Sequence, residues 1–222
     1  MPDLVPPLSP DRRVPLAVEA VRKRYPGADW VLYDLSHTFQ PGTATGLVGP
    51  NGSGKSTLLR VLSALSPPTT GAVRYGTLDI HRRPHAYLQS VGVVHDKPDL
   101  PGYLTAVETL AWVARERGVW DDAAAARHAA LLDAVLLDER REQLTRTYSA
   151  GMTRKTQLAT ALAARPAVLL LDEPFRALDT AATDAALALL AAFRDAGGLV
   201  VLSSHRADLL DRLCDERLDL GA

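Results

Sequence analysis

The feature of this sequence that most constrains its fold is a glycine-rich stretch between an apolar run and a helical pattern. Positions 49 to 57 read Gly-Pro-Asn-Gly-Ser-Gly-Lys-Ser-Thr, which satisfies the pattern G-x-x-x-x-G-K-[ST]. The run from Thr43 to Val48 before it predicts a strand, and Thr57 to Leu65 after it predicts a helix. This order predicts a core of the α/β class with a loop that binds phosphate groups.

The residue types in this loop suit the chemistry of nucleotide phosphates. Glycines let backbone N–H groups close around phosphate oxygens, and the start of a helix adds a positive dipole. Lys55 can reach the β and γ phosphates, and the Ser56 hydroxyl can bind Mg²⁺. We therefore predict nucleotide binding by Gly49, Pro50, Asn51, Gly52, Ser53, Gly54, Lys55, Ser56 and Thr57.

A second signal is an apolar strand pattern that ends in two carboxylates, Val168 to Asp172 followed by Glu173. By itself, this pattern is more often a buried strand that runs into a solvated turn. Beside a phosphate loop it places two acids at the carboxyl end of a parallel strand, where α/β proteins bind ligands. We predict that Asp172 helps to hold Mg²⁺ and that Glu173 is the general base.

The remaining sequence divides into parts with different patterns. Residues 1–15 contain five prolines and predict a flexible leader, whereas 16–222 predict one domain with a β-rich beginning. Continuous apolar runs predict a mostly parallel sheet, with strands at 90–94, 168–172 and 199–203.

Between about 97 and 165 the pattern is helical, and we predict an inserted α-helical lobe there. Its helical stretches are Thr105 to Glu116, about Asp122 to Leu137, and Arg154 to Ala164.

Composition excludes several classes of protein. With 25 basic and 26 acidic residues the net charge is −1, so we expect no general attraction to nucleic acid. The single Cys214 rules out an internal disulfide framework and is typical of a reducing compartment. No run of about 18 apolar residues occurs, so we expect no direct insertion into a membrane.

The segment Tyr148-Ser-Ala-Gly-Met152 narrows the family, because it resembles the signature motif of ABC ATPases. The order of the motifs is similar as well: Lys-Arg-Tyr25, the phosphate loop, this signature, Asp172-Glu173, Ala-Leu-Asp179, and Leu-Ser-Ser-His205. The resemblance covers the chain from about Leu16 onward. It implies the ABC ATPase fold, a P-loop core with an N-terminal antiparallel β subdomain and a helical lobe, and hydrolysis of ATP with Mg²⁺.

The resemblance also implies roles for single residues. Tyr25 would stack on adenine, His205 would contact the γ-phosphate, and Asp179 would act where two nucleotide-binding domains meet. Each has a plainer interpretation: Tyr25 as a strand residue, and His205 and Asp179 as helix N-caps. The signature residues Ser149, Ala150, Gly151 and Met152 would bind ATP held by the other protomer.

The partners that the resemblance implies are a second nucleotide-binding domain, identical or different, and a transmembrane permease subunit. The expected location is the cytoplasm, on the inner face of the plasma membrane. Export is favoured over import, because the form Tyr-Ser-x-Gly-Met is similar to that of bacterial export ATPases and the chain leaves no room for a C-terminal regulatory domain.

Two positions depart from the family pattern: Asp96 stands where Gln is usual, and Ala150 stands where Gly is common. Asp96 could bind Mg²⁺ or its waters, but it could not donate a hydrogen bond to the attacking water. Ala150 would lower the stability of the fold by roughly 1 to 2 kcal/mol if its φ were positive, and by little if its φ were negative. These departures leave open a weakly active ATPase that works in a heterodimer.

Two other functions compete with transport. A soluble ABC ATPase of DNA repair or translation would usually carry a long coiled-coil insertion, but only 93 positions separate Lys55 from Tyr148. A small-molecule kinase or GTPase on the same core would not explain the signature, and a GTPase would also need an Asn-Lys-x-Asp motif.

Overall fold

The computed structural model describes residues 4–5, 8–97, 100–137 and 140–221, and those residues form two sheets flanked by helices. The strands are β1 Leu16–Arg24, β2 Trp30–Phe39, β3 Ala44–Val48, β4 Thr70–Tyr75, β5 Leu78–Asp79, β6 Val91–Val94, β7 Val168–Asp172, β8 Leu199–Ser203 and β9 Glu216–Asp219. The α-helices are α1 Lys55–Leu62, α2 Pro84–Leu88, α3 Ala106–Glu116, α4 Ala124–Ala134, α5 Ala150–Ala163, α6 Thr180–Asp195 and α7 Ala207–Leu213. The predicted α/β class is confirmed.

The larger sheet is parallel and has the order β6-β7-β8-β3-β9. Its central strands are apolar without alternation because both faces are buried. In β7, Leu169 and Leu171 pack into one hydrophobic cluster, whereas Val168 and Leu170 pack into the other. Since β8 lies between β7 and β3, the carboxyl ends of these three strands meet at one edge.

The smaller sheet is antiparallel, with the order β2-β1-β4-β5. Leu16, Val18 and Val21 of β1 are buried, and they pack against α1 and the parallel sheet in the same cluster. The predicted N-terminal antiparallel subdomain is therefore present. Its position over α1 brings β2 close to the phosphate loop.

Three α-helices, α3 to α5, occupy the stretch predicted to be a helical lobe. A capping box begins α3, in which the Thr105 hydroxyl accepts from the Glu108 amide and the Glu108 carboxylate accepts from the Thr105 amide. Helix α5 begins at Ala150, four residues before the predicted start, because Ser149 Oγ accepts from the Met152 amide at 3.2 Å. The division of the chain into leader, domain and lobe stays a prediction.

Part of the proline-rich leader contacts the core. Val5 is buried in the cluster that includes helices α4 to α6, and the Leu8 amide donates to the Ala196 carbonyl at 2.9 Å. Arg12 donates to the Arg165 carbonyl at 2.6 Å. Residues 1–3 and 6–7 of the predicted leader lie outside the described residues.

The helices in the described ranges are short, the longest being α6 with 16 residues. None of them has the length and the apolar character that a helix needs to span a bilayer.

Candidate functional site

A cavity of about 730 Å³ opens at the edge where β3, β7 and β8 end. It brings together most of the residues predicted to bind or hydrolyse nucleotide. Those that line it are Asn51, Gly52, Gly54, Lys55, Ser56, Thr57, Asp96, Asp172, Glu173 and His205. Residues more than 100 positions apart in sequence therefore share one site.

The phosphate loop depends on glycine at positions where the backbone is left-handed and crowded. Gly54 has a φ of 99°, and a Cβ there would lie 3.0 Å from the Val31 carbonyl oxygen. At Gly49, with a φ of 139°, a Cβ would lie 2.6 Å from Ser53 Oγ. Only glycine fits both conditions, which explains the spacing of the motif.

The Lys55 side chain binds to the backbone of its own phosphate loop. Its side chain is buried, and Nζ donates to the Gly49 carbonyl at 2.7 Å and to the Pro50 carbonyl at 2.9 Å. The ammonium group is thus held at the start of α1 by the loop it belongs to. A phosphate placed there would add a charge-assisted hydrogen bond to a cation that is already in position.

The two predicted acids are held by Ser203 at the end of β8, a residue of the Leu-Ser-Ser-His205 motif to which the sequence assigned no role. Ser203 Oγ donates to Asp172 Oδ1 at 2.6 Å and accepts from the Glu173 amide at 3.1 Å. Ser203 is 1% exposed. Its signal in the sequence is a hydroxyl residue at the end of a fully apolar strand, just before His205.

Glu173 combines a left-handed backbone with a buried carboxylate oxygen. Its φ is 50°, and its Oε1 is buried without a hydrogen-bond partner in the described part of the chain. His205 Nε2 lies 3.5 Å from this oxygen, close enough for an electrostatic interaction but without hydrogen-bond geometry. Glu173 lines the cavity, and a carboxylate in such a place can orient a water and take its proton.

His205 itself is largely exposed and is not the N-cap of α7, whose N-cap is Arg206. The plainer interpretation of His205 as a cap is therefore wrong. For Asp179 the plainer interpretation is confirmed, since its Oδ1 accepts from the Ala182 amide at 2.8 Å at the start of α6. Its proposed role at a dimer contact is compatible with capping.

Asp96 is held by two arginines that sequence reasoning missed. Arg176 Nη1 donates to Asp96 Oδ1 at 2.7 Å. Arg154 of α5 donates to the His95 carbonyl at 2.7 Å and to the Asp96 carbonyl at 3.0 Å. Burial lowers the pKa of the Arg154 guanidinium from its usual value, and the Asp96 carboxylate acts in the opposite direction. Neither arginine belongs to a motif that the sequence made recognisable.

The signature residues lie outside the large cavity. Among the described lining residues of that cavity none belongs to the signature, whereas Ala150 lines a neighbouring cavity of about 360 Å³ with Asp96 and Arg176. Ala150 is the first residue of α5 and is not among the described residues with positive φ. Alanine is therefore accommodated there without the backbone cost that a positive φ would bring.

Tyr25 is not among the described residues that line the large cavity. It follows β1 and lines a separate groove with Arg24, Pro26, Gly27, Ala28 and Thr69. Lys23 Nζ lies 4.9 Å from the centroid of its ring. The structure thus places Tyr25 on the antiparallel sheet's side of the molecule.

Comparisons with known proteins agree with this geometry. A sequence model of the ABC transporter family matches residues 32–176. A cobalt import ATP-binding protein, CbiO of Rhodobacter capsulatus, is 37% identical over 204 residues, covering 90% of this chain and 73% of that protein. A linearmycin resistance ATP-binding protein, LnrL of Bacillus subtilis, is 31% identical over 200 residues, covering 90% of this chain and 64% of that protein.

Solved structures show the same fold. The dimeric ATP-binding cassette MJ0796, in a post-hydrolysis state bound to ADP and Pi, superposes with a TM-score of 0.81 at 24% identity. The superposition covers 93% of this chain and 94% of that one. The chain therefore belongs to the ABC transporter family and carries its ATP-binding, ATP-hydrolysing domain.

Proposed function

We propose that this chain hydrolyses ATP at a site completed by a second nucleotide-binding domain and thereby drives transport through a separate membrane subunit. The observation that carries the proposal is the separation of two halves of a site. Lys55 and Glu173 share the large cavity, whereas Ser149 to Met152 do not line it in the same chain. Two copies in a head-to-tail arrangement would bring each signature to the other copy's phosphate loop.

The residues of the cavity divide the chemistry between them. The backbone amides of the phosphate loop and Lys55 would bind the phosphates, and the start of α1 would favour their negative charge. Glu173 would accept the proton of the attacking water with its carboxylate, whose Oε1 is buried. His205, 3.5 Å from that oxygen, would contact the γ-phosphate and limit the movement of Glu173.

Mg²⁺ fits the donor set of this site. The Ser56 hydroxyl and the Asp172 carboxylate line the same cavity, and such oxygen donors, completed by phosphate oxygens, are what Mg²⁺ prefers. Within the described residues no group of three or more His, Cys, Asp and Glu could hold a metal, and phosphate oxygens would supply the remaining donors. The ion would neutralise charge on the β and γ phosphates. Asp96 would join this set only after separation from Arg176.

The signature end of α5 supports the second half of the proposal. Ser149 is an N-cap, so the amides of Ala150 and Gly151 face away from the helix and are available to an anion. In our proposal that anion is the γ-phosphate of ATP bound to the partner copy. Asp179 and Tyr25 would contribute to the dimer contact and to adenine stacking, respectively.

The membrane partner and the direction of transport belong to the same proposal. CbiO is named for cobalt import and LnrL for resistance, so these two relatives do not favour one direction. We propose export, on the form of the signature motif, with the chain bound to the inner face of the membrane. ATPase activity that rises when cargo is supplied on the cytoplasmic side of a reconstituted complex would support export.

The experiment that tests the proposal is the mass in solution of Glu173→Gln with and without MgATP, measured by light scattering. This variant keeps the phosphate site but cannot take up a proton, so ATP should persist and a dimer should accumulate. Lys55→Ala serves as the matched control, because it should stay monomeric. ATP binding by Glu173→Gln without any change of mass would contradict a homodimer and would indicate a different nucleotide-binding partner.

A further inference from the structure

The ion pair between Asp96 and Arg176 joins two loops of the site. Asp96 follows β6, and Arg176 lies three residues after Glu173. Both side chains line the large cavity and also the neighbouring one beside the start of α5. The pair therefore stands on the boundary between the site of hydrolysis and the signature.

The Asp96 side of this pair is firmly anchored. Arg154, which is 5% exposed, fixes the loop through its two hydrogen bonds to the carbonyls of His95 and Asp96. Among the nearby carboxylates, that of Asp96 does most to raise the pKa of this buried guanidinium. Asp96 is thus a fixed point to which a neighbouring loop can be attached.

The Arg176 side belongs to a segment that needs support. Glu173 and Ala177 both have left-handed φ values, 50° and 63°, which L-residues adopt only where surrounding contacts hold them. The Arg176 amide donates to the Glu173 carbonyl at 3.1 Å, so one backbone hydrogen bond links the two residues. On the far side, the Ala177 carbonyl lies against Gly151, where a Cβ would be only 2.7 Å away.

We infer that Arg176 is a positioning residue for Glu173: its ion pair with Asp96 holds the segment 173–177 so that the Glu173 carboxylate faces the attacking water. The inference rests on the proposed function, since it assigns Glu173 as the base. Exposed ion pairs usually contribute little to stability, so the effect should appear in turnover and hardly in the free energy of unfolding.

The test is a double-mutant cycle on the full chain with Arg176→Gln and Asp96→Asn. Each single variant should lower kcat roughly tenfold, because small displacements of a catalytic group have large effects, while KM for ATP stays within about twofold. The double variant should be no slower than the slower single one. Arg176→Lys should restore much of the rate, because only one guanidinium nitrogen makes the contact.

The matched control is Arg212→Gln, which breaks an equally exposed pair with Asp184 at 2.8 Å on the surface of α6 and α7. It should leave kcat unchanged. A control that falls as far as Arg176→Gln, or single effects that multiply in the double variant, would overturn the inference. So would an unchanged kcat in Arg176→Gln.

A second readout keeps the inference separate from the proposed function. Amide hydrogen exchange across 173–178 should be faster in Arg176→Gln, Asp96→Asn and the double variant than in the parent chain, even without nucleotide. Equal rates of hydrogen exchange in the parent chain and the variants would overturn the inference that the Asp96–Arg176 ion pair holds this segment, whatever the ATPase activity. If the parent chain fails to hydrolyse ATP while hydrogen exchange behaves as expected, the proposed function is wrong, but the ion pair still holds the segment 173–177.

Discussion

Ser203 Oγ donates to Asp172 Oδ1 at 2.6 Å, and these two residues lie side by side where β7 and β8 end. The same oxygen accepts from the Glu173 amide at 3.1 Å. One buried hydroxyl therefore fixes both the carboxylate that faces the cavity and the backbone of the residue after it. The relationship exists only because β7 and β8 are neighbours in the sheet.

Ser203→Ala should consequently impair hydrolysis more than nucleotide binding. The Glu173 amide loses its acceptor and the Asp172 carboxylate loses its donor, so we expect kcat to fall about tenfold or more, and the free energy of unfolding to fall by about 1 to 3 kcal/mol. Steady-state ATPase assays and urea unfolding measure both. Ser63→Ala, at a buried serine that follows α1 and does not line the cavity, should leave kcat unchanged. If Ser203→Ala also leaves kcat unchanged, the Ser203 hydroxyl has no part in turnover.

Lys55→Ala should weaken MgATP binding by at least about tenfold, since a charge-assisted hydrogen bond contributes roughly 1.5 to 3 kcal/mol. Titration with a fluorescent ATP analogue measures the affinity. Lys155→Ala is a suitable comparison, because Lys155 Nζ also donates to a carbonyl, that of Leu136, but away from the cavity. Equal affinities in the parent and in Lys55→Ala would remove the phosphate-loop assignment.

Substitutions at Ala150 and Gly151 should both lower the free energy of unfolding, but to different extents. Ala150→Gly should lower the free energy of unfolding by no more than about 1 kcal/mol, because alanine already suits the start of a helix. Gly151→Ala should lower it by about 1 to 3 kcal/mol, because the new Cβ would lie 2.7 Å from the Ala177 carbonyl oxygen. Urea unfolding of both variants decides this, and equal stabilities would contradict the close packing of α5 on the 173–177 segment.

Cys214 should be a poorly reactive thiol. Burial, together with the neighbouring Asp215 carboxylate, raises its pKa to about 12, so its thiolate is scarce at pH 8. We expect the folded chain to react with a disulfide reagent at least about tenfold more slowly than the urea-unfolded chain, since only the thiolate attacks. Equal rates would mean that Sγ is open to solvent, against its packing at Gly46.

The sequence by itself determined the phosphate loop, the strand that ends in Asp172 and Glu173, and the motif order that indicates the family. These features are local: glycines at fixed spacing, a run of apolar residues, and a capping residue each act within a few positions of the chain. Helix and strand types followed from the same patterns, and the ends differed by a few residues where caps such as Ser149 decided them.

Only the tertiary structure decided which residues meet at the site. The sequence assigned no role to Ser203, Arg154 or Arg176, and their contacts with Asp172 and Asp96 join segments that are 31 to 80 positions apart. It also decided the backbone conformation of Ala150, which is not among the described residues with a positive φ. Strand order and loop packing create these contacts, and neither is encoded in any short stretch of the chain, because each depends on burying both faces of the parallel sheet.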